Sequence, residues 1–137
     1  MSASILRDKR VLITQADEFM GPMLCEVFAG HGASVIATTE SLVDPGAPAA
    51  IVTAAGRIDA LVANLALPAP STAATEVSEA EWRETFAAGV DPLPRLFRAA
   101  LPAMIQRRAG KILGMGRDAA SRFVGQVFAV CGGWVTR

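Results

Sequence analysis

Short, wholly apolar runs that alternate with helical segments constrain the fold of this 137-residue chain more than any other feature. Such runs predict strands that are buried on both faces, as in a parallel sheet covered by helices. We therefore expect an α/β fold, with a Rossmann-like, doubly wound, mostly parallel sheet in a single domain, residues 1–137.

Five strands and three helical regions make up the predicted order of elements. Leu24, Val27 and Phe28 recur at helical spacing and predict the buried face of the first helix. Ser78 and Glu81 have the spacing of a capping box at the start of a long helix. The predicted strands span 10–14, 34–38, 58–64, 111–115 and 123–130, and the predicted helical regions span 21–32, 45–56 and 78–110, the last interrupted at Pro92 and Pro94.

The charge balance and the cysteine count exclude several classes of protein. Lys and Arg together number 13, as do Asp and Glu, so the chain lacks the basic excess of a nucleic-acid-binding protein. Cys25, on the predicted buried face of the first helix, and Cys131 are too few for a disulfide framework, and we expect both to be reduced core thiols in a cytoplasmic protein. One histidine and two distant cysteines predict no metal site. Charges and prolines interrupt the apolar runs, so no membrane span is expected.

The loop TQADEFMGP follows the first strand, where an α/β nucleotide-binding domain carries its glycine-rich phosphate loop. Gly21 is its one glycine. Gln15 and Phe19 place side chains where the backbone would approach a pyrophosphate, although Phe19 also suits a core position. We expect the carboxylates of Asp17 and Glu18 to satisfy the positive end of the next helix. Each would repel a phosphate by about 1 to 4 kcal/mol at about 4 Å, so the loop predicts weak dinucleotide binding.

Characteristic stretches follow one another in a specific order along nearly the whole chain. Residues 5–116 contain RVLIT, GASVIATTE, RIDALVANLA and RRAGKILGMG, and residues 118–135 read DAASRFVGQVFAVCGGWV. This order resembles the short-chain dehydrogenase/reductase family. The resemblance implies a Rossmann fold that binds NAD(P), with 1–116 as the N-terminal βαβ core and 117–137 as a tail strand block.

The resemblance also implies candidate residues for holding the cofactor. The family's phosphate loop, Thr-Gly-x-x-x-Gly-x-Gly, aligns so that its first two glycines fall on Gln15 and Phe19. Glu40 is placed to hold ribose hydroxyls or is a solvated carboxylate at a strand end. Asn64, in place of the second of two family asparagines, either faces the cofactor or bonds the backbone near the sheet edge. The candidates are Thr14, Gln15, Phe19, Met20, Gly21, Glu40 and Asn64.

The family's catalytic residues have no counterpart in this chain. The chain contains no tyrosine, so the Tyr-x-x-x-Lys pair is missing. Its two lysines, Lys9 and Lys111, precede the expected position. The relay asparagine would fall within 89–91 and the catalytic serine at Gly116 or Arg117, and neither residue type is present there. We therefore assign no catalytic residue.

The same loop is also similar to that of halohydrin dehalogenases, Thr-x-x-x-x-Phe/Tyr-x-Gly. Thr14, Phe19 and Gly21 match this spacing. In that subgroup the aromatic ring occupies the nicotinamide space and helps to form a halide pocket. The subgroup's catalysis also uses a tyrosine, which is missing here.

Seven residues, GRDAASR, separate the fourth predicted strand from the last. Longer family members carry a catalytic helix, a further strand and the substrate-binding region at this place. Because seven residues are too few for a parallel crossover, we expect a displaced tail strand. It would lie antiparallel beside KILGM, cross to a partner chain, or remain poorly ordered. Each outcome uncovers apolar surface on the truncated sheet and favours a homo-oligomer.

Three functional hypotheses remain open. The first is a shortened dehydrogenase-like domain, catalytically incompetent as given, that serves as a structural or interaction module. The second is an NAD(P)-dependent oxidoreductase, with an unknown small-molecule substrate, whose catalytic segment comes from outside this sequence or from a partner subunit. The third is the remnant of a dehalogenase-like lyase, with an anion pocket near Thr14 and Phe19.

Overall fold

The computed structural model describes residues 4–66 and 72–115, and the strand predicted at 123–130 lies outside them. The elements are β1 Arg10–Ile13, α1 Gly21–Gly30, β2 Ser34–Ala37, α2 Ala47–Ala55, β3 Ala60–Asn64, α3 Glu79–Gly89, α4 Pro92–Arg107 and β4 Lys111–Met115. The other four predicted strands are confirmed, to within two residues at each end. None of the helices in the described ranges has the length and apolar character needed to cross a membrane.

The four described strands are parallel and lie side by side in the order β2-β1-β3-β4. The chain runs from β1 outward to β2 and then returns to the far side of β1 to form β3, so the order reverses between β1 and β3. Leu12, Leu61 and Ile112 are in register across three strands. The predicted Rossmann-like sheet is thus confirmed, while the displaced tail strand belongs to residues that the structure does not describe.

Two helices, α2 and α4, cover one face of the sheet. Leu12 and Leu61 project from the strands into a core that includes Leu96 and Met104 of α4, and all four are buried. Ile51 joins them from α2. This layer fixes the sheet and therefore the positions of the loops that leave its strands.

The opposite face is covered by α1, and less completely. Leu24 and Phe28 pack against it half-buried, as does Cys25, where burial raises the pKa of the thiol. The prediction that Val27 is buried is wrong, because this side chain is 51% exposed. Helical spacing identifies one side of a helix, but it does not show how much of that side a neighbour covers. Cys25 is accordingly a half-buried thiol rather than a core one.

The capping box predicted at the start of α3 is confirmed. The Ser78 hydroxyl accepts a hydrogen bond from the Glu81 backbone N–H at 3.2 Å, and a Glu81 carboxylate oxygen accepts one from the Ser78 N–H at 2.9 Å. The predicted interruption is also confirmed, because α3 ends at Gly89 and α4 begins with Pro92 in its first turn. No residue of α3 is fully buried, so the cap satisfies backbone groups in a helix that packing covers only lightly.

We expect the Ser78→Ala variant to raise the pKa of Glu81 toward its ordinary range. Hydrogen bonds from the Ser78 backbone, the Thr72 hydroxyl and the Ser78 hydroxyl hold this pKa low. Because the pKa of Glu81 is lower in the folded state, its ionised carboxylate stabilises the folded domain. This stabilisation is present above the unfolded-state pKa of Glu81 and is lost as pH falls through the folded-state pKa. An NMR titration of the Glu81 carboxyl measures the shift. Ser41→Ala, which changes an exposed serine between β2 and α2, is the control. An unchanged Glu81 titration in Ser78→Ala would contradict the expectation.

Cationic residues gather at the amino-terminal edge of the sheet. The Arg10 guanidinium donates to the carbonyl of Ala55, at the end of α2, at 2.9 Å, and to that of Arg57 at 2.7 Å. Partial burial raises the pKa of Asp59, but hydrogen bonds from Arg10 and Arg57 and nearby positive charge outweigh it and hold the pKa below its usual value. Helix C-termini carry partial negative charge, so the cations stabilise this edge. The residues concerned are Lys9, Arg10, Arg57, Arg107 and Lys111.

Candidate functional site

The carboxyl ends of β1 and β3 form the candidate site. The four described strands are parallel, so their carboxyl ends meet at one edge. The strand order reverses between β1 and β3, which is where open α/β sheets bind ligands in a crevice, and we call this position the crevice. The β1–α1 loop, starting at Thr14, forms one wall of this crevice. Residues Asn64 to Ala66, at and beyond the end of β3, form the other wall.

Asn64 ties the two walls together. Its side chain is fully buried, and its Nδ2 donates to the carbonyl oxygens of Gln15 at 2.9 Å and Glu18 at 3.0 Å. The Thr14 hydroxyl donates to the Asn64 carbonyl at 3.0 Å. Because carbonyl oxygens only accept, the two bonds fix the orientation of the Asn64 amide. Its Oδ1 is buried with no donor among the described residues. Asn64 therefore has the structural role that was one of its two sequence interpretations.

The backbone of the β1–α1 loop is left-handed at the two positions where the family pattern has glycine. Gln15 has φ +44° and Phe19 has φ +53°. A residue with a Cβ costs about 1 kcal/mol in this region, so the loop holds two side chains on a backbone that glycine would adopt freely. Gly21 is required for a different reason, because a Cβ there would lie 2.4 Å from the Ala16 carbonyl oxygen.

The Gln15 side chain crosses the crevice. Its Oε1 accepts a hydrogen bond at 2.9 Å from the backbone N–H of Ala66, on the opposite wall. The sequence did not identify Ala66, because its hydrogen bond uses a backbone N–H group, which every residue except proline has. Gln15 thus contacts the β3 wall twice, through its carbonyl and through its side chain.

The expectation that Asp17 and Glu18 satisfy the N-terminus of α1 is wrong. The helix starts at Gly21, its N-cap is Met20, no side chain caps it, and its first turn contains no acidic residue. An extra turn, closed by a 2.8 Å hydrogen bond from the Gly21 N–H to the Glu18 carbonyl, separates both carboxylates from the helix. Asp17 and Glu18 are exposed at the rim of the site instead.

The structure brings some of the candidate residues together and leaves others apart. Thr14, Gln15 and Asn64 form one hydrogen-bonded group. Phe19 is 43% exposed, which disagrees with a core role. Glu40 is exposed beyond β2 and makes no hydrogen bond to the β1–α1 loop. Within residues 4–66 and 72–115, no cluster of three His, Cys, Asp or Glu side chains has a metal-binding arrangement.

Comparison with known proteins relates this geometry to one family. The family model described as short chain dehydrogenase matches residues 46–129, more than half of the chain. The match begins beyond β2 and so does not include the β1–α1 loop. None of the curated proteins compared with the chain matches it significantly.

Three solved structures share the fold. A dehalogenation enzyme is 28% identical with a TM-score of 0.75, over 88% of this chain and 58% of its own. A candidate NAD(P)-dependent gluconate 5-dehydrogenase from Beutenbergia cavernae, solved with NADP at low occupancy, is 25% identical with a TM-score of 0.72, over 82% and 55%. A 3-oxoacyl-acyl-carrier-protein reductase from Brucella melitensis with bound NAD is 19% identical, with a TM-score of 0.73 over 83% and 55%. The chain spans little more than half the length of each.

Proposed function

The chain belongs to the short-chain dehydrogenase family, and on that premise we propose that it is an oxidoreductase-type domain with a weak nucleotide site in the crevice between β1 and β3. The observation that supports this most is the position of the crevice, at the reversal of strand order, where open α/β sheets bind nucleotides. The NADP in the similar Beutenbergia cavernae structure supports the same class of ligand.

The residues of the crevice fit a nicotinamide dinucleotide only in part. The loop backbone has the left-handed conformations that a glycine-rich phosphate loop uses, and Gly21 stands at the helix start. Gln15 and Phe19 nevertheless carry side chains at the two positions where the backbone would approach a pyrophosphate. We therefore propose NAD(P) as a weak ligand.

Within residues 4–66 and 72–115, neither a tyrosine nor a lysine lies at the crevice to exchange the proton that accompanies hydride transfer. A nicotinamide cofactor supplies the hydride chemistry, but a protein side chain must supply the general acid or base. The chain has no tyrosine. Lys111 begins β4 and Lys9 precedes β1, so both lie at the opposite edge, about 13–17 Å away along strands of four and five residues.

This placement favours a catalytically incompetent binding or interaction domain. An NAD(P)-dependent oxidoreductase remains the alternative if a segment outside this sequence or a partner subunit supplies the acid and base.

We also propose that the domain self-associates through α3. Trp82 and Phe86 stack with ring centroids 4.7 Å apart on the exposed side of α3, and a second copy would cover them. Sedimentation velocity measures the oligomeric state directly.

A dehalogenase-like anion pocket is a second candidate function, and the similarity to a dehalogenation enzyme favours it. Phe19 is exposed beside the crevice, in the position that the loop spacing assigns to the pocket aromatic. A bromide ion found beside Phe19 by anomalous scattering would support this candidate. A bromide-soaked crystal with no ion there would argue against it.

A titration of the ¹⁵N-labelled chain with NADH tests the nucleotide site. We expect shifts confined to the β1–α1 loop and to Asn64–Ala66, with a dissociation constant of about 1 mM. Carbonyl reduction should stay at background. Shifts that cluster on α3, or none at about 10 mM NADH, would contradict the proposal. Reduction above background would support the alternative with an external acid and base.

A further inference from the structure

We infer that the Gln15 side chain occupies part of the crevice and competes with a nucleotide for it. The inference rests on the proposed function, because it concerns the same crevice. Its basis is the 2.9 Å hydrogen bond from the Ala66 N–H to Gln15 Oε1, which joins the two walls at the reversal of strand order.

The contact occupies a backbone donor at the edge of the sheet where a nucleotide would bind. Open α/β sheets bind nucleotides outside the carboxyl ends of their strands, and backbone N–H groups there can donate to ligand oxygens. Gln15 presents an amide oxygen to the Ala66 N–H in the same way that a ligand oxygen would. A ligand must therefore displace this side chain before it can use the donor.

The loop backbone holds Gln15 in this arrangement. Its carbonyl oxygen accepts from Asn64 Nδ2 at 2.9 Å and from the Glu18 N–H at 3.1 Å. These two bonds maintain a φ of +44°, a conformation that a glutamine does not adopt by preference. The left-handed backbone therefore stays in place while the half-buried side chain spans the crevice.

The competing interpretation is that the hydrogen bond between Gln15 and Ala66 only stabilises the loop. If Gln15 only stabilised the loop, its removal would weaken the fold without strengthening nucleotide binding. If Gln15 occupies the site, removal strengthens binding, because the ligand no longer competes with an intramolecular hydrogen bond. One such bond corresponds to about a tenfold change in affinity.

Gln15→Gly is the decisive variant, because glycine accepts the positive φ and carries no side chain to cross the crevice. Asp8→Gly is the matched control, since Asp8 also has a positive φ, +63°, but lies before β1, at the other edge. The full chain and both variants are titrated with NADH by calorimetry and by NMR. We expect Gln15→Gly to bind about tenfold more tightly than wild type and Asp8→Gly to bind as wild type does.

A second measurement uses the wild-type protein, in case Gln15→Gly folds poorly. NADH should shift the side-chain amide signal of Gln15 together with the Ala66 amide. Crevice signals that respond to NADH while the Gln15 side chain does not, or equal affinity in Gln15→Gly and wild type, would overturn the inference and leave the nucleotide site standing. No response from the crevice in any variant would overturn both.

Discussion

Asn64→Asp is expected to destabilise the domain by about 3 kcal/mol or more at neutral pH. The substitution replaces an amide donor by a carboxylate oxygen that faces two carbonyl oxygens, those of Gln15 and Glu18, at about 3 Å. The side chain is fully buried, so water cannot compensate for the lost hydrogen bonds or solvate the charge.

The sign of its pH dependence follows from the burial. Burial raises the pKa of a carboxyl group in the folded state, so the Asn64→Asp variant should be less destabilised at low pH and more so as pH rises above the unfolded-state pKa. Urea unfolding at several pH values measures the effect. Gln106→Glu makes the same amide-to-acid change at an exposed site of α4 and should stay within about 0.5 kcal/mol of wild type. A similarly small effect at Asn64 would mean that this side chain does not hold the loop.

Gly21→Ala is expected to destabilise the domain by about 3 kcal/mol, the upper range for overpacking. The new Cβ would lie 2.4 Å from the carbonyl oxygen of Ala16 and 2.7 Å from its Cα, both backbone atoms. The loop cannot easily move away, because Ala16 donates to the Thr38 carbonyl at 2.8 Å and Asn64 holds the residues on either side.

Gly30 provides a matched control in the same helix. A Cβ at Gly30 would meet no atom within 4 Å, so Gly30→Ala should stabilise the domain by about 0.5 to 1 kcal/mol through helix propensity. Thermal unfolding of both variants should therefore show shifts of opposite sign. If Gly21→Ala unfolds like wild type, the close approach of the loop to the helix start does not exist in solution.

Much of the fold could be predicted because its signals are local. Apolar runs such as those around Leu12 and Leu61 mark strands that are buried on both faces, and the structure confirms them. The Ser78 and Glu81 pair fixed the start of α3 because a capping box satisfies its own backbone groups within four residues. Parallel topology followed from fully apolar strands that alternate with helices.

The candidate site was less predictable because its decisive partners are backbone groups. The resemblance to the family's phosphate loop placed Gln15 and Phe19 at glycine positions, but only the structure shows that both residues have a left-handed backbone conformation. The Ala66 N–H has no side-chain signature. The extra turn before α1 moved Asp17 and Glu18 away from the helix, and residue type alone does not specify such a turn.

Within residues 4–66 and 72–115, the cations at the amino-terminal edge give the sheet two electrically distinct poles. Asp17, Glu18 and Glu40 lie at the opposite pole. The acidic pole would slow the approach of any polyanion to the crevice, and added salt would relieve that barrier over distances beyond about 10 Å at 0.1 M.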